Sequence, residues 1–281
     1  MADQRTIVIT GGTDGLGRGL ARELAPSGAR LILHGRNEEK GRALLEELGQ
    51  RKTGGAGARP RTNGDLIWRR ADLASLDEVR GLADAINEED RLDVLVNNAG
   101  IGTAGGREES VDGYELTFAV NYLSHFLLTR QLLPLIERSA PARIVNVSSA
   151  GQAPIDFDDV MLERGYSGVQ AYCQSKLALV MFTFDLAEEL EGSGVTANCL
   201  HPGTYMPTNM VRQAGVEPVT PLEEGVAATL RLISSPEVEG INGHYFDGTR
   251  ESAPHPQAED AEARRRLREL SAELAGVQTP A

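Results

Sequence analysis

Short, nearly continuous apolar runs alternate along this chain with longer stretches of helical periodicity, the pattern of repeated strand–helix–strand units. The runs Thr6–Thr10, Arg30–His34, Ile67–Ala71, Val94–Asn97, Arg143–Val147 and Thr196–Leu200, with a last one near Gly243–Phe246, predict seven strands. Their lack of polar alternation points to strands covered on both faces, and so to a mainly parallel sheet. Helices are predicted between them over Gly17–Pro26, Glu38–Leu48, Ser75–Glu88, Val111–Ile136, Val169–Glu191 and Leu222–Ser234. The fold class is therefore α/β, a doubly wound Rossmann fold with helices on both faces, in a single domain over about residues 1–250. Arg51–Asp65, rich in glycine and arginine and without periodicity, reads as a surface loop. Residues 251–281 read as a polar, peripheral tail in which Ala261–Leu274 makes an amphipathic helix.

The 281 residues suffice for one large core without staples. Cys173 and Cys199 are too few for a disulfide framework or a structural zinc site, and no metal is expected. No apolar run approaches the roughly 18 residues of a spanning helix, and Met1–Thr6 does not open a signal peptide. A soluble, cytoplasmic protein without a membrane anchor is the expectation. The formal net charge of −13 is uneven. Residues 1–61 hold 11 basic and 7 acidic groups, net +4, and the rest hold 17 and 34, net −17. An acidic whole argues against nucleic acid, while the basic N-terminal fifth suits a small anionic ligand.

Candidate chemistry begins where the first strand ends. Thr10-Gly11-Gly12-Thr13-Asp14-Gly15-Leu16-Gly17 joins that strand to a helix. Glycines allow a tight turn and close approach, and a helix N-terminus offers free N–H groups to a phosphate, which is the context of a dinucleotide site. The spacing is Gly-x-x-x-Gly-x-Gly. Further marks follow in order: Asp72-Leu73, Asn97-Asn98-Ala99-Gly100, Asn121, Ser148-Ser149, Tyr172-x-x-x-Lys176 and Pro202-Gly203. On these residues the chain resembles the short-chain dehydrogenase/reductases over about residues 5–247.

The resemblance implies a nicotinamide cofactor held by Gly11, Thr13, Asp14, Gly15, Leu16 and Gly17, with Asp72 and Leu73 bracketing the adenine. Asn98, Ala99 and Gly100 would run along the ribose and pyrophosphate. Arg36 stands 19 residues after Gly17, where an NAD site would place an acid. A guanidinium suits the 2′-phosphate of NADP(H), which is read as preferred over NAD(H). Arg18 is placed beside the same phosphates.

Tyr172 and Lys176, four apart in a predicted helix, leave one face about a turn apart. A nearby ammonium favours the phenolate and moves a tyrosine toward proton transfer. Only three lysines occur against 25 arginines, so a retained lysine at 176 points to a need for a compact ammonium. Ser149 follows a strand at its C-terminal edge, where open α/β sheets carry their chemistry. By resemblance the catalytic set is Asn121, Ser149, Tyr172 and Lys176. Tyr172 would protonate a carbonyl oxygen that Ser149 positions, and Lys176 with Asn121 and a water would restore the proton. Tyr172 and Lys176 would also touch the cofactor. His201, His125 and Cys173 read as structural.

The gap of 23 residues from Ser149 to Tyr172 is long for the family. Together with Ala171-Tyr172-Cys173-Gln174-Ser175-Lys176 it looks like the retinol-dehydrogenase and protochlorophyllide-reductase-like branch. That branch implies an apolar carbonyl or alcohol as substrate and a possible homodimer or homotetramer. The insertion over about 152–168 either flanks the substrate cleft or is a solvated loop. After Pro202 and Gly203, both placed at the cofactor, a substrate loop spans about 204–220. In it Thr208, or in competition Thr204, would meet the nicotinamide carboxamide, with Tyr205, Met206 and Met210 as an apolar wall. Two rival functions are a nucleotide-sugar epimerase or dehydratase on the same scaffold and a non-catalytic dinucleotide-sensing regulator. The first lacks its usual glycine spacing here, and the second tends to lose the tyrosine or lysine.

Overall fold

Each apolar run becomes a strand, and the strands lie side by side because helices cover both of their faces. The computed structural model describes residues 4–50, 65–102 and 105–278. The Arg51–Asp65 insertion lies outside the described residues apart from Asp65. The elements are β1 (Thr6–Ile9), α1 (Gly15–Leu24), β2 (Arg30–Gly35), α2 (Glu38–Gln50), β3 (Leu66–Arg70), α3 (Leu76–Asn87) and β4 (Val94–Asn97). Then come α4 (Leu116–Phe118), a π-helical turn Ala119–Leu123, α5 (Ser124–Arg138), β5 (Ala142–Val147), α6 (Gly168–Glu189) and β6 (Val195–His201). Last are α7 (Asn209–Gln213), α8 (Leu222–Ser234), β7 (Tyr245–Asp247), β8 (Arg250–Glu251) and α9 (Ala261–Ala275).

The sheet order is β3-β2-β1-β4-β5-β6-β7-β8, parallel from β3 to β7. Eight strands replace the expected seven, because β8 folds back antiparallel on β7. The strand order reverses between β1 and β4, the point where a doubly wound sheet opens a crevice at its carboxyl edge. One core lies under α1, α2 and α8, and the other under α3, α5, α6 and α9. Among the described residues no helix is long and apolar enough to cross a membrane.

Two sequence expectations are corrected. The helix expected from Val111 begins at Leu116, and Val111 is 79% exposed. Ser110–Gly113 closes a turn instead, with Gly113 at φ +85°, and the buried Glu115 carboxylate caps the helix through Thr117 N (2.9 Å) and Phe118 N (2.6 Å). The tail is not peripheral. Helix α6 has apolar side chains nearly all round, so it needs cover on its outer side as well. Helix α9 supplies that cover, burying Ala263, Leu267, Ala272 and Ala275. Arg264 and Arg268 pair with the nearly buried Asp185 of α6 at 3.0 and 2.6 Å, and Tyr122 shares a 2.7 Å hydrogen bond with Ser271.

Candidate active site

The glycine turn is closed by its own chemistry. Gly11 and Gly15 hold φ +69° and +46°, conformations that side chains resist. A Cβ on Gly17 would overlap the Gly11 carbonyl oxygen, and one on Gly11 would stand 2.9 Å from Ala99 Cα. Asn98 Nδ2 donates to the carbonyls of Thr10 (2.7 Å) and Gly11 (3.3 Å), so its side chain clamps the turn. Helix α1 has no side-chain cap, which leaves its first N–H groups for a ligand. This cradle fits the pyrophosphate of a dinucleotide. Thr13 lies against Gly35 at the end of β2, and Leu16 and Gly17 are buried in the first turn of α1.

Other predicted cofactor residues surround the same crevice. Leu73 is buried, and Asp72 follows β3 with Oδ1 accepting from Ala74 N at 3.0 Å. Arg36 is exposed just after β2, with no hydrogen bond or ion pair to a described residue. Glu38, the nearest acid, is already engaged by Trp68 Nε1 (2.9 Å) and Arg42. Arg18, expected at the phosphates, is instead committed to Glu47, which it shares with Arg22.

Two buried histidines that sequence reading set aside or passed over support this turn. His34 Nε2 donates to Ala71 O (3.0 Å) and its Nδ1 accepts from Gly11 N (3.4 Å). His125 Nδ1 lies 3.2 Å from the Asn121 carbonyl, which only accepts, so Nδ1 carries the proton. Its Nε2 then accepts from the Thr10 hydroxyl at 3.1 Å, while that oxygen accepts from Asn98 N and Ala99 N. The only sequence signal for His125 is its place one helical turn after Asn121.

Burial pushes His34 down to about 4 and His125 down to about 3, from an ordinary 6.5. The unfolded chain therefore binds more protons below pH 6.5, so the histidine contribution is complete above that value and is lost as pH falls toward 4 and 3. The expected loss is on the order of 3 kcal/mol per histidine by pH 4. Denaturant midpoints measured from pH 7 to 4 should fall accordingly. A midpoint that stays flat would contradict neutral buried imidazoles.

The predicted catalytic set converges beside the turn. Lys176 is 4% exposed, donates to Val147 O at 2.9 Å, and its Nζ stands 5.8 Å from the Tyr172 ring centre. Burial pushes its ammonium down to about 8. Burial also pushes the Tyr172 phenol up, opposed by the neighbouring Ser149 hydroxyl. The direction is upward, against the lowering expected from Lys176. Ser148 points elsewhere, donating to Lys176 O at 2.8 Å, whereas Ser149 faces Tyr172 and accepts from Gly151 N at 3.0 Å. Asn121 sits in the π turn, fully buried. Its amide donates to Ile101 O and Ser175 Oγ, each at 3.1 Å, and accepts from Ile101 N at 2.7 Å. A Cβ on Gly100 would lie 3.2 Å from Asn121 Oδ1 and 3.5 Å from Lys176 Nζ, so this loop joins the glycine turn to Asn121 and Lys176.

The loop after β6, expected to meet substrate, lies over the glycine turn. Asn209 N donates to Asp14 Oδ2 at 3.1 Å, and Thr208 packs against Gly15. Thr208 Oγ1 accepts from Val211 N, which leaves its proton to donate, and Thr204 Oγ1 is paired with His201 at 3.0 Å. Pro202 is buried, and Gly203 fits against Thr220. The expected apolar wall is only partly formed by the three residues named. Met206 turns inward onto Gly225 and is buried, Met210 packs on Gly102, and Tyr205, at φ +45° and 51% exposed, lies near enough to Tyr172 to act on its phenol.

A groove of about 1130 Å3, bordered by Arg5, Asp93, Arg143 and Thr196, lies at the amino ends of the strands, away from all these groups. Ligands of such sheets bind at the carboxyl ends, and the convergence of Ser149, Tyr172 and Lys176 there makes this the candidate site.

Fold and site together define a dinucleotide-dependent oxidoreductase of the Rossmann type. The sequence pattern of the short chain dehydrogenases matches residues 5–217, and the chain belongs to that family. It is similar to human (Homo sapiens) retinol dehydrogenase 14, at 42% identity over 97% of this chain and 87% of that protein. Human retinol dehydrogenase 13 is 40% identical over 98% of this chain and 86% of its own length. Among solved structures, an uncharacterised Mycobacterium paratuberculosis protein superposes with a TM-score of 0.78 at 32% identity, covering 99% and 96% of the two chains. RhlG of Pseudomonas aeruginosa, in an NADP active-site complex, gives 0.68 at 29% identity over 88% and 95%.

Proposed function

We propose that this protein is an NADP(H)-dependent oxidoreductase acting between the carbonyl and alcohol forms of an apolar small molecule, with Tyr172 as general acid and base. The observation that carries this reading is the placement of the Tyr172 phenol beside the Ser149 hydroxyl and the Lys176 ammonium, at the carboxyl edge of the sheet and next to the glycine turn. The nicotinamide, when bound, supplies or accepts the hydride. In reduction, Ser149 donates to the substrate carbonyl oxygen and holds it against Tyr172. Tyr172 gives that oxygen its proton as charge develops there. Lys176 stabilises the resulting phenolate, which solvent then reprotonates. Oxidation reverses each transfer. Asn121 keeps the Gly100–Ile101 loop against α6, which maintains the distance between cofactor turn and Lys176.

The relatives named for retinol make polyene aldehydes and alcohols the first substrates to try, and the half-exposed Tyr205 offers an apolar surface for them. The reading is tested by following NADPH consumption with all-trans-retinal and a panel of aliphatic and aromatic aldehydes and ketones. No turnover across the panel would overturn it.

The preference for NADP(H) rests on Arg36, solvent-facing and without a partner among the described residues, beside a Glu38 that is already occupied. Arg36→Ala is expected to weaken NADPH binding about 10- to 100-fold, the worth of a charge-assisted phosphate contact. NADH binding should change less than twofold. Equal losses for both, measured by nucleotide fluorescence titration, would remove the assignment.

A further inference from the structure

The stretch between Ser149 and α6 forms neither helix nor strand, so its backbone groups need other partners. Glutamine side chains supply many of them. Gln170 Nε2 donates to Pro154 O (3.3 Å) and Gln174 Nε2 to Val160 O (2.7 Å). Gln257, from the tail, accepts from Ile155 N at 2.7 Å and donates to Ile155 O at 3.1 Å, the two bonds that a neighbouring strand would give. Two residues earlier, His255 N donates to Gln152 Oε1 at 2.8 Å. The other end of that amide, Gln152 Nε2, donates to the Ser149 carbonyl at 2.9 Å. Tyr245 of β7 adds a second donor to the same oxygen at 3.1 Å. The tail segment is itself fixed: His255 Nδ1 accepts from Gln257 N at 3.2 Å, and Ala258 is fully buried.

We propose that Gln152 is a positioning residue for Ser149, and that the strap His255–Gln257 holds Gln152 in the orientation that does this. The proposal rests on the reading of Ser149 given above. A carbonyl oxygen has two lone pairs, and both of Ser149's are taken, so its peptide plane cannot rotate. The Ser149 hydroxyl belongs to the same residue, accepts from Gly151 N at 3.0 Å just beyond that peptide, and meets Tyr172, so a fixed plane keeps the hydroxyl in place. A polar tail that reads as peripheral is, on this geometry, part of the active-site frame. Loss of Gln152 leaves Tyr245 to hold the carbonyl and loosens the plane, and a displacement of about 1 Å at a reacting group costs up to roughly 100-fold in rate.

The test compares Gln152→Ala, Gln257→Ala, Ser149→Ala and the Gln152→Ala/Ser149→Ala double variant. Tyr172 is titrated without substrate by NMR of ring-labelled tyrosine, its signal assigned with Tyr172→Phe. Because the Ser149 hydroxyl favours the phenolate, Ser149→Ala should raise the titration midpoint of Tyr172. Gln152→Ala should raise it in the same direction, Gln257→Ala less, and the double variant no further than Ser149→Ala alone. With all-trans-retinal and NADPH, Gln152→Ala should lower kcat about 10-fold or more. NADPH affinity and thermal midpoint should stay close to the parent's, which separates positioning from unfolding. An unmoved Tyr172 titration in Gln152→Ala, or a shift that adds fully to that of Ser149→Ala, overturns the proposal. If Ser149→Ala itself moves neither titration nor turnover, the reading of Ser149 fails and takes the proposal with it. A disabled Ser149→Ala beside an unaffected Gln152→Ala removes the proposal alone.

Discussion

Replacing Tyr172 by phenylalanine is expected to lower kcat for carbonyl reduction by roughly 100- to 10,000-fold, the usual worth of a positioned general acid. None of Ser149, Lys176, His125 and His201 is placed to take over the proton. Ser149 is an alcohol with its oxygen already accepting from Gly151 N, and Lys176 donates to Val147 O. His125 and His201 are both held below their ordinary values by burial, and His125 is spent between Thr10 and Asn121. The ring of phenylalanine fills the same volume, so nucleotide affinity and thermal stability should change little. The measurement is single-turnover reduction of all-trans-retinal with NADPH, beside a nucleotide titration. Turnover within a few-fold of the parent would exclude Tyr172 as the acid.

The second large effect lies at Gly17. A methyl group there would overlap the Gly11 carbonyl oxygen and press on Asn98 Nδ2, both part of the clamp that closes the turn. Backbone cannot yield as a flexible side chain does, so the turn must open. Opening it moves the free N–H groups of α1 away from the phosphate. Losing one or two charge-assisted hydrogen bonds costs about 2–4 kcal/mol, or roughly 30- to 1,000-fold in dinucleotide affinity. Gly81, inside α3, is the internal control, because a Cβ there meets nothing within 4 Å. Gly81→Ala should leave affinity unchanged and stabilise the fold by up to about 1 kcal/mol. If Gly17→Ala binds nucleotide as the parent does, by titration of both variants, the cradle is misassigned.

Strand positions were readable because burial on both faces leaves a local mark, a short apolar run, and all seven expected strands appear within about two residues of their predicted ends. The glycine turn was readable for a similar reason, since tight turns and close approaches restrict the residue at each position. Tyr172 and Lys176 stood out as a helical i, i+4 pair and Ser149 as a strand end, but only the resemblance to the family joined them into one set and chose Ser149 over Ser148. Less was legible where two distant segments had to meet. The start of α4 shifted because Asp112 caps Leu76 N at 3.0 Å, a contact 36 residues away that favours a turn over another helical turn. Arg18 went to Glu47 rather than to the phosphates because α1 and α2 pack side by side.

The sequence by itself determined the sheet, its order of strands and helices, and the side chains gathered at its carboxyl edge. The strands and helices follow from local periodicity and the glycine turn from the few residues it accepts, whereas the catalytic set follows from the resemblance to the family. Only the tertiary structure decided how those side chains are held. It placed two neutral histidines behind the glycine turn, put Asn121 in a π turn against Ile101, and laid the tail over α6. It also routed the tail's hydrogen bonds through Gln257 and Gln152 to the carbonyl of Ser149. Glutamines and histidines of this kind carry no local signature, because their function depends on which backbone group folding brings opposite them.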